Sequence, residues 1–339
     1  MRIALVDDSE IERGILLSLI TDYGCEKQIL FESDCFDSGD AFLSSFSSDK
    51  YDIVFMDIFM KQDNRPLKEK EVTYYQYCTG IPTATLLAQT WDTGQIYAYG
   101  EGVGEEMEEF GIGCWLAPGM NIHRDPLCGR NFEYFSEDPL LAGTMGAAVV
   151  RGIQSQGVSA CPKHFACNNQ ETMRIYNDSR VSERALREIY LKGFEICVKT
   201  AHPFNIMTSY NKINGVWGHY HYGTCTQILR GEWEYDGCVM TDWWMRASKD
   251  PDFPLLRNNA YRVRGQVDVL MPGAGAGSRK AKYDPTLLES LGKPDGITRA
   301  EIFRSAMNTL RFVLRSHPFC AEHGLDNGYR PGPDWFECR

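Results

Sequence analysis

An aspartate that separates an apolar run from two tryptophans is the clearest chemical signal in this sequence. In "GCVMTDWW", residues 237–244, the apolar run ends at Asp242, and Trp243 and Trp244 follow directly. A carboxylate at the end of a strand, beside flat apolar rings, suits a nucleophile that lies beneath a platform for a sugar ring. The stretch therefore indicates carbohydrate chemistry.

Three cationic or imidazole side chains, Arg130, Lys163 and His164, supply hydrogen-bond donors suited to a hydroxyl-rich ligand. Glycoside hydrolysis needs two carboxyl groups, one that attacks or activates water and one that protonates the leaving oxygen. The residue types alone leave open another α/β-barrel enzyme, or a coincidence of polar strand ends.

Apolar runs that read as strands recur through the chain, with helical stretches between them. Strands that alternate with helices predict a parallel sheet, either a (β/α) barrel or an open doubly wound sheet. In a barrel the carboxyl ends of the strands share the face where active sites lie, so we expect the polar residues that end these runs to converge. The runs are 112–122, 158–165, 204–211, 237–244 and 267–273, and their polar ends are Asn121, His123, Lys163, His164, Tyr210 and Asp242.

Two helix starts are marked by capping residues. Ser182 is expected to cap a helix whose one face carries Leu186, Ile189, Tyr190 and Phe194. Thr298 and Glu301 form a capping box that opens a closing helix with an apolar face of Ile302, Phe303, Ala306, Leu310 and Val313.

The first sixty residues predict a separate β-α-β-α-β unit. Strands are expected over "RIALVDD" (2–8), "KQILFES" (27–33) and "YDIVFMD" (51–57). A capping box at Ser9 opens the first helix, for which Gly24 is the expected stop. "SGDAFLSSF" (38–46) is the second helix.

Asp7, Asp8 and Asp57 end two of these strands, where ligands bind in open α/β sheets. Three clustered carboxylates there would hold Mg²⁺. The segment resembles the first half of a flavodoxin-like response-regulator receiver. The resemblance implies Asp57 as phosphoacceptor, Asp7, Asp8 and Asp57 as metal site, and a histidine kinase as partner. The alternative is a fragment in which these acids only cap strand ends.

Four longer motifs resemble glycoside hydrolase family 3, the β-glucosidase group. They are "LAPGMNIHRDPLCGRNFEYFSEDPLLAG" (116–143), "KHFACNNQE" (163–171), "MTSYNKINGVW" (207–217) and "GCVMTDWW", with "IPTATLLAQTWD" (81–92) as lead-in. "ACNNQE" after the lysine-histidine pair favours the β-glucosidase-like branch over the branch acting on aminosugars. The resemblance runs from about residue 74 to 316 and implies a (β/α) barrel.

The resemblance also implies a retaining glycosidase that hydrolyses O-glycosyl bonds of β-glucosides without a cofactor. Asp242 would be the catalytic nucleophile and form a covalent glycosyl-aspartate. The sugar site would consist of Arg130, Lys163, His164, Met207, Tyr210 and Trp243. The structural alternatives are that Arg130 pairs with Glu133 or Glu137, that His164 is a core histidine and that Asp242 caps its strand.

The chain departs from the family pattern at both ends of the barrel. A first strand leading to a sugar-binding "DGP" aspartate is replaced by the receiver half, and the tail is too short for the second domain that supplies the acid/base glutamate. The barrel is thus expected to be incomplete and its activity impaired. Glu133 and Glu171 are candidate substitutes for the acid. Alternatively, the three receiver strands and the five downstream runs add to the eight of a barrel.

The sequence divides into a receiver half (1–60), a junction (61–73), a hydrolase barrel (74–316) and a Pro/Gly-rich tail (317–339). Two interpretations other than an enzyme remain: a phosphorylatable receiver module that regulates a sugar-binding barrel, and a recombined reading frame without function. The net charge of −11 argues against a nucleic-acid partner. No apolar run is long enough to cross a membrane.

Twelve cysteines without a CxxC pair, and no signal peptide, predict reduced, mostly buried thiols and a cytoplasmic protein. "HYH", at 219–221, is the tightest histidine pair. We expect it to form a turn or a cleft wall rather than a metal site.

Overall fold

The fold comes from a computed structural model that describes residues 2–6, 10–27, 30–47, 50–51, 53–56, 80–245, 258–271 and 286–328. It divides into two compact units, Met1–Gln76 and Tyr77–Arg339.

The first unit holds three parallel strands and two helices. The elements are β1 (Arg2–Val6), α1 (Glu10–Lys27), β2 (Glu32–Phe36), α2 (Gly39–Ser45) and β3 (Ile53–Met56). The strand order is β2-β1-β3, with β1 in the centre. Ile3 and Leu5 on one face of β1 pack against α1, and Ala4 and Val6 on the other face pack against Phe42 of α2. The period-2 alternation of a strand explains this two-sided burial.

Three expectations for this unit are wrong. α1 continues through Gly24 to Lys27, so the glycine does not end it. The second strand lies at Glu32–Phe36 rather than over residues 27–33. Neighbouring strands of a barrel follow chain order, and the order β2-β1-β3 does not. The prediction that these strands complete the barrel is therefore wrong.

The second unit alternates short strands with helices. Its strands are β4 (Cys114–Trp115), β5 (Ser159–Ala160), β6 (Asp178–Ser179), β7 (Asn205–Met207), β8 (Lys212–Ile213), β9 (Val216–Trp217) and β10 (Cys238–Met240). Its helices are α3 (Ala84–Ala88), α4 (Thr93–Glu109), α5 (Pro139–Ser155), α6 (Glu183–Ala185), α7 (Lys192–Ala201), α8 (Asn258–Arg264), α9 (Thr286–Ser290), α10 (Arg299–Arg315) and α11 (His317–Glu322). Leu186–Tyr190 and Gly223–Glu232 are π-helical, and Asn131–Glu133 and Gly218–Tyr220 are 3₁₀ turns.

The five predicted apolar runs lie side by side in chain order. β4 pairs with β5 and β7 pairs with β10, both in parallel. Parallel bridges from Phe165 to Thr208 and from Met240 to Val269 connect the remaining neighbours. This succession of parallel strands is the arrangement of consecutive strands in a (β/α) barrel, and it confirms the predicted parallel sheet.

Outside the strands, α5 packs between α4 and α7. Gly100 of α4 and Gly152 of α5 face each other, and a Cβ on Gly152 would overlap the backbone oxygen of Tyr97. Ser182 caps the α6 helix by accepting from Ala185 N, as predicted. Leu186 and Phe194 are buried as expected, whereas Ile189 is 40% exposed, contrary to the predicted face.

The closing helix α10 begins at the predicted capping box of Thr298 and Glu301. Its predicted apolar face is wrong, because Phe303 and Leu310 are 67% and 53% exposed. The buried side instead carries Ser305 and Asn308, which bond to Asp268 through its backbone oxygen at 3.4 Å and its carboxylate at 3.2 Å respectively. A buried carboxylate needs hydrogen-bond donors, and this need determines which face of α10 points into the protein.

Seven of the ten described cysteines are buried and all ten are free thiols, as predicted for that part of the chain. Among the described helices, none has a stretch apolar and long enough to span a bilayer.

Candidate active site

Asp242 lies two residues beyond β10, at the carboxyl end of the parallel strands. Its side chain is close to fully enclosed, and the residue is 8% exposed. The Trp243 backbone N–H donates to Oδ1 at 2.8 Å. Burial raises the pKa of Asp242, and the hydrogen bond from the Trp243 N–H together with the nearby Tyr210 hydroxyl opposes that rise. The result is a desolvated carboxylate held in one orientation.

His164 is the neighbour of Asp242 across the site, with Nε2 3.7 Å from Oδ2. Asn121 fixes the backbone of His164 from both sides: its Oδ1 accepts from His164 N at 2.8 Å and its Nδ2 donates to His164 O at 3.0 Å. Burial, together with the charges of Arg130, Lys163 and Arg174, holds the pKa of His164 well below its usual range. The imidazole is therefore neutral near pH 7.

Arg130 and Lys163 meet on one carboxylate. Glu133 pairs with Arg130 within a 3₁₀ turn, and its Oε2 lies 3.3 Å from Lys163 Nζ. Arg130 thus pairs with Glu133, one of the two partners expected from the sequence, and its role in sugar binding stays a prediction. Because one acceptor holds both cations, the pairing also fixes two adjacent hydrogen-bond donors close to His164.

Tyr210 lies between the Asp242–Trp243 segment and the guanidinium of Arg174. Its hydroxyl donates to Trp243 O at 2.8 Å, and the Arg174 guanidinium lies over its ring, 4.3 Å from the centroid. Arg174 Nη1 is 2.8 Å from Glu171 Oε2, and Glu171 Oε1 is 3.9 Å from Arg130 Nε. A chain of alternating charges therefore runs from Tyr210 to Arg130.

Met207 and Trp243 close the site from the barrel interior. Met207 is the last residue of β7 and packs with Cys161 and Met240, and Trp243 lies against this cluster. The structure thus brings together all seven predicted site residues: Arg130, Lys163, His164, Met207, Tyr210, Asp242 and Trp243. The roles assigned to them remain predictions.

Other polar residues of the site were not singled out from the sequence. Arg174 reaches Tyr210 across 36 positions, and no local pattern marks it. Tyr134 lies near His164 Nδ1, at 3.4 Å, and accepts from Asn168 Nδ2 at 3.2 Å. Asn168 belongs to the quoted "KHFACNNQE" motif, which was the available signal. His123, expected at the convergence, instead bonds through Nε2 to the backbone oxygens of Asn131 and Tyr134, both at 3.0 Å.

The predicted receiver residues Asp7, Asp8 and Asp57 lie outside the described residues, so the phosphoacceptor and the Mg²⁺ site stay predictions. Within the described ranges, no group of three or more His, Cys, Asp or Glu side chains could hold a metal ion. The "HYH" segment, for which a turn or a cleft wall was predicted, does contribute to the wall of a cleft, because His219 lines a cavity. His221 Nδ1 accepts from Thr224 N at 3.1 Å.

Consecutive parallel strands, with a buried aspartate and with ion-paired arginine and lysine side chains near their carboxyl ends, are the arrangement of an α/β-barrel protein. Residues 69–277 match the glycosyl hydrolase family 3 N-terminal domain, and the chain belongs to this family.

The relatives of this chain include two β-glucosidases. It is 46% identical to a β-glucosidase of Ruminococcus albus over 246 residues, which cover 73% of this chain and 25% of that protein. It is 54% identical to β-glucosidase A of Butyrivibrio fibrisolvens over 166 residues, 49% of this chain and 20% of that protein. The chain thus matches a quarter or less of the length of either relative.

Among solved structures, the chain is similar to β-glucosidase 3B of Thermotoga neapolitana in complex with glucose. The TM-score is 0.67 at 38% identity, over 80% of this chain and 36% of that chain. The likeness extends the family assignment from sequence to fold.

Proposed function

We propose that the second unit is the nucleophile-bearing barrel of a retaining β-glycosidase that acts on β-glucosides. Asp242 attacks the anomeric carbon and the leaving oxygen departs, so that a glycosyl-aspartate ester forms; water then cleaves the ester. The observation that carries the proposal is the position of Asp242, buried at a strand end and facing donor groups rather than another carboxylate.

The neighbours of Asp242 support this role. Nucleophilic attack requires a carboxylate whose lone pairs are directed and poorly solvated, and the Trp243 N–H and the burial of Asp242 supply both conditions. His164 is neutral, so it does not neutralise the carboxylate by proton transfer near pH 7. Asp242 is thus available as a nucleophile.

The sugar would be held by Arg130, Lys163 and His164, whose N–H groups suit hydroxyl oxygens. Met207, Tyr210 and Trp243 would line the site. The names of the relatives, β-glucosidases in both cases, support a β-glucoside as substrate class. Because the Glu133 carboxylate already positions two of the donors, little reordering would accompany binding.

We assign the general acid to none of the described residues. Glu133 and Glu171, the candidate substitutes, are each engaged by cationic side chains. General acid catalysis contributes roughly 10²–10⁴-fold, and it matters least for leaving groups that need no proton. The proposal therefore predicts turnover of glucosides with good leaving groups ahead of alkyl glucosides.

The test is intact mass spectrometry after incubation with 2,4-dinitrophenyl 2-deoxy-2-fluoro-β-D-glucoside. The expected product is one fluoroglucosyl adduct per chain, located on Asp242 by peptide mapping. Asp242→Asn should give no adduct. Asp236→Asn is the matched control, because Asp236 is an exposed carboxylate that pairs with Arg315 and precedes the same strand. Absence of an adduct on the wild-type chain, or its persistence in Asp242→Asn, would contradict the proposal.

A second proposal concerns the first unit, as a receiver that takes phosphate on Asp57 from a histidine kinase with Mg²⁺ bound. The order β2-β1-β3 of parallel strands supports it, since flavodoxin-like sheets share that order. Incubation with acetyl phosphate and Mg²⁺ should give an acid-labile phosphoryl group that Asp57→Asn removes. An unphosphorylated wild-type chain would contradict it. A cytoplasmic location remains part of this proposal.

A further inference from the structure

Three sulfur atoms from three different strands meet in the interior of the second unit. Cys114 lies on β4, Cys161 follows β5 directly, and Met240 ends β10. Cys161 Sγ lies 3.7 Å from Met240 Sδ, and the Cys161 thiol is hydrogen-bonded to Cys114. The three side chains form a sulfur cluster that packs against Met207 and Trp243. Only the packing of the parallel strands brings these sulfur atoms together, because they are far apart in the chain.

A buried amide shows that the lone pairs of the sulfur cluster converge. Asn205 is 3% exposed, and its Nδ2 lies 2.8 Å from Met240 Sδ, 3.4 Å from Cys161 Sγ and 3.8 Å from Cys114 Sγ. An amide nitrogen is a donor with partial positive charge, so it marks a position to which all three sulfur atoms direct electron density.

The other end of the same amide is not held in place. In the part of the chain that the structure describes, Asn205 Oδ1 has no hydrogen-bond partner although it is buried. The amide can therefore turn aside without giving up a hydrogen bond at its oxygen. A cation of suitable chemistry can then take the position between the three sulfur atoms.

The ligand types select a soft cation. Thiolate and thioether sulfur select monovalent copper, whereas carboxylate and imidazole groups suit harder divalent cations. Among the described residues no histidine or carboxylate joins the two thiols, since no group of three His, Cys, Asp or Glu side chains there could hold a metal ion. Two thiols and one thioether also lack the fourth ligand of a tetrahedral structural Zn²⁺ site.

Charge balance favours a monovalent cation as well. One thiolate, one thiol and one thioether around Cu⁺ have no net charge, which avoids the cost of an unpaired charge in the protein interior. Binding then breaks one S–H bond, forms a bond from that sulfur to copper, and releases the proton to solvent. The copper stays in the same oxidation state throughout.

We propose that the sulfur cluster binds one Cu⁺ ion, with Cys114 Sγ, Cys161 Sγ and Met240 Sδ as its ligands. Cys114 is half-buried whereas Cys161 is fully buried, so the ion enters from the Cys114 side. The inference is independent of the proposed glycosidase function, because none of the three ligands belongs to the candidate active site.

The test is an anaerobic competition for Cu⁺ between the reduced full chain and bicinchoninate. Bicinchoninate forms a coloured complex with Cu⁺, so the loss of colour measures the copper that passes to the protein. The wild-type chain should withdraw one equivalent and release one proton per ion, followed with an indicator dye. X-ray absorption at the copper edge should show sulfur neighbours alone. Single thiols elsewhere compete weakly, because no second ligand adds to their affinity.

Two variants of the sulfur cluster test the ligand assignment. Cys161→Ala should weaken Cu⁺ binding by roughly 10²-fold, because the remaining thiol loses its intramolecular partner. Met240→Leu conserves side-chain volume and should weaken binding by about tenfold, since it removes the thioether alone. The urea midpoint of Met240→Leu should match that of the wild type, which separates loss of a ligand from loss of the fold.

Cys225→Ala is the matched control for Cys161→Ala. Cys225 is also a buried free thiol, but its Sγ lies 3.8 Å from the backbone oxygen of Gly218 and it is not part of the sulfur cluster. Its Cu⁺ affinity should equal that of the wild type.

The inference is overturned if the wild-type chain withdraws no copper from bicinchoninate. It is also overturned if Cys161→Ala and Met240→Leu bind as tightly as Cys225→Ala, or if nitrogen or oxygen neighbours appear in the absorption spectrum. Adduct formation on Asp242 is a separate measurement, so each of these results leaves the proposed function standing.

Discussion

Nε2 of His164 and Oδ2 of Asp242 lie 3.7 Å apart, and neither side chain is substantially exposed. The distance exceeds that of a hydrogen bond. His164 is also uncharged near pH 7, because burial and three nearby cations depress its pKa. The two groups therefore do not form an ion pair. The charge on Asp242 is stabilised instead by the Trp243 N–H, the Tyr210 hydroxyl and the more distant arginines.

The first prediction concerns the acid limb of glycosyl transfer. Burial raises the pKa of Asp242 above 3.8, and only the carboxylate attacks. The rate of adduct formation should therefore fall as pH falls through that raised pKa, at a higher pH than that at which an ordinary aspartate protonates. The measurement is the adduct formation rate as a function of pH. A rate that stays constant down to about pH 4 would contradict the role of burial.

The second prediction concerns Glu133. Its carboxylate holds both Arg130 and Lys163, so Glu133→Gln removes the charge that positions two donors. We expect adduct formation to slow by roughly 10- to 100-fold, in line with misplacement of binding groups by about 1 Å. Glu137→Gln is the control, since Glu137 is exposed in the same loop. Equal rates in the two variants would show that the pairing does not position the donors.

The third prediction concerns the buried pair of Arg230 and Asp268. Arg230 Nη2 lies 2.6 Å from Asp268 Oδ2, which also accepts from Val239 N at 3.0 Å. Asp268→Asn leaves a buried guanidinium without its counter-charge and should lower the free energy of unfolding by about 3–5 kcal/mol. Asp236→Asn breaks an exposed pair and should change it by less than about 1 kcal/mol.

Urea denaturation of both variants provides the comparison. A similar loss in the two proteins would mean that burial of the Arg230–Asp268 pair has no energetic consequence.

The fourth prediction concerns Glu301 at the start of α10. Burial raises its pKa, but bonds from Arg264 and Thr298 dominate and lower it to about 2. The stabilisation is thus fully present above the unfolded value of about 4.5 and is lost as pH falls towards 2. Glu301→Ala removes both the capping box and the ion pair and should cost about 1–2 kcal/mol at pH 7.

Glu301→Gln separates the two contributions, because glutamine can still complete a capping box. Its free energy of unfolding should lie between those of the wild type and Glu301→Ala at pH 7. The gap between wild type and Glu301→Gln should close as pH falls from about 4.5 to about 2. A gap that does not vary with pH would contradict the ion-pair contribution.

The sequence by itself determined the features that depend on interactions between residues close together in the chain, such as helix caps and apolar strands. The capping residues Ser182 and Thr298 mark true helix starts, because a cap bonds to N–H groups within three residues. The five apolar runs became neighbouring parallel strands. The motif around "GCVMTDWW" also placed Asp242 at a strand end, and the family resemblance selected the same site residues that the fold brings together.

Only tertiary structure decided which partners those elements meet. The apolar pattern of α10 predicted Phe303 and Leu310 inside, but the buried Asp268 requires donors, and Ser305 and Asn308 face it instead. Arg174 lies over Tyr210, and Arg262 Nε donates to His219 Nδ1, through contacts between residues far apart in the chain. Such contacts depend on how strands and helices pack, and no periodicity within a single segment encodes them.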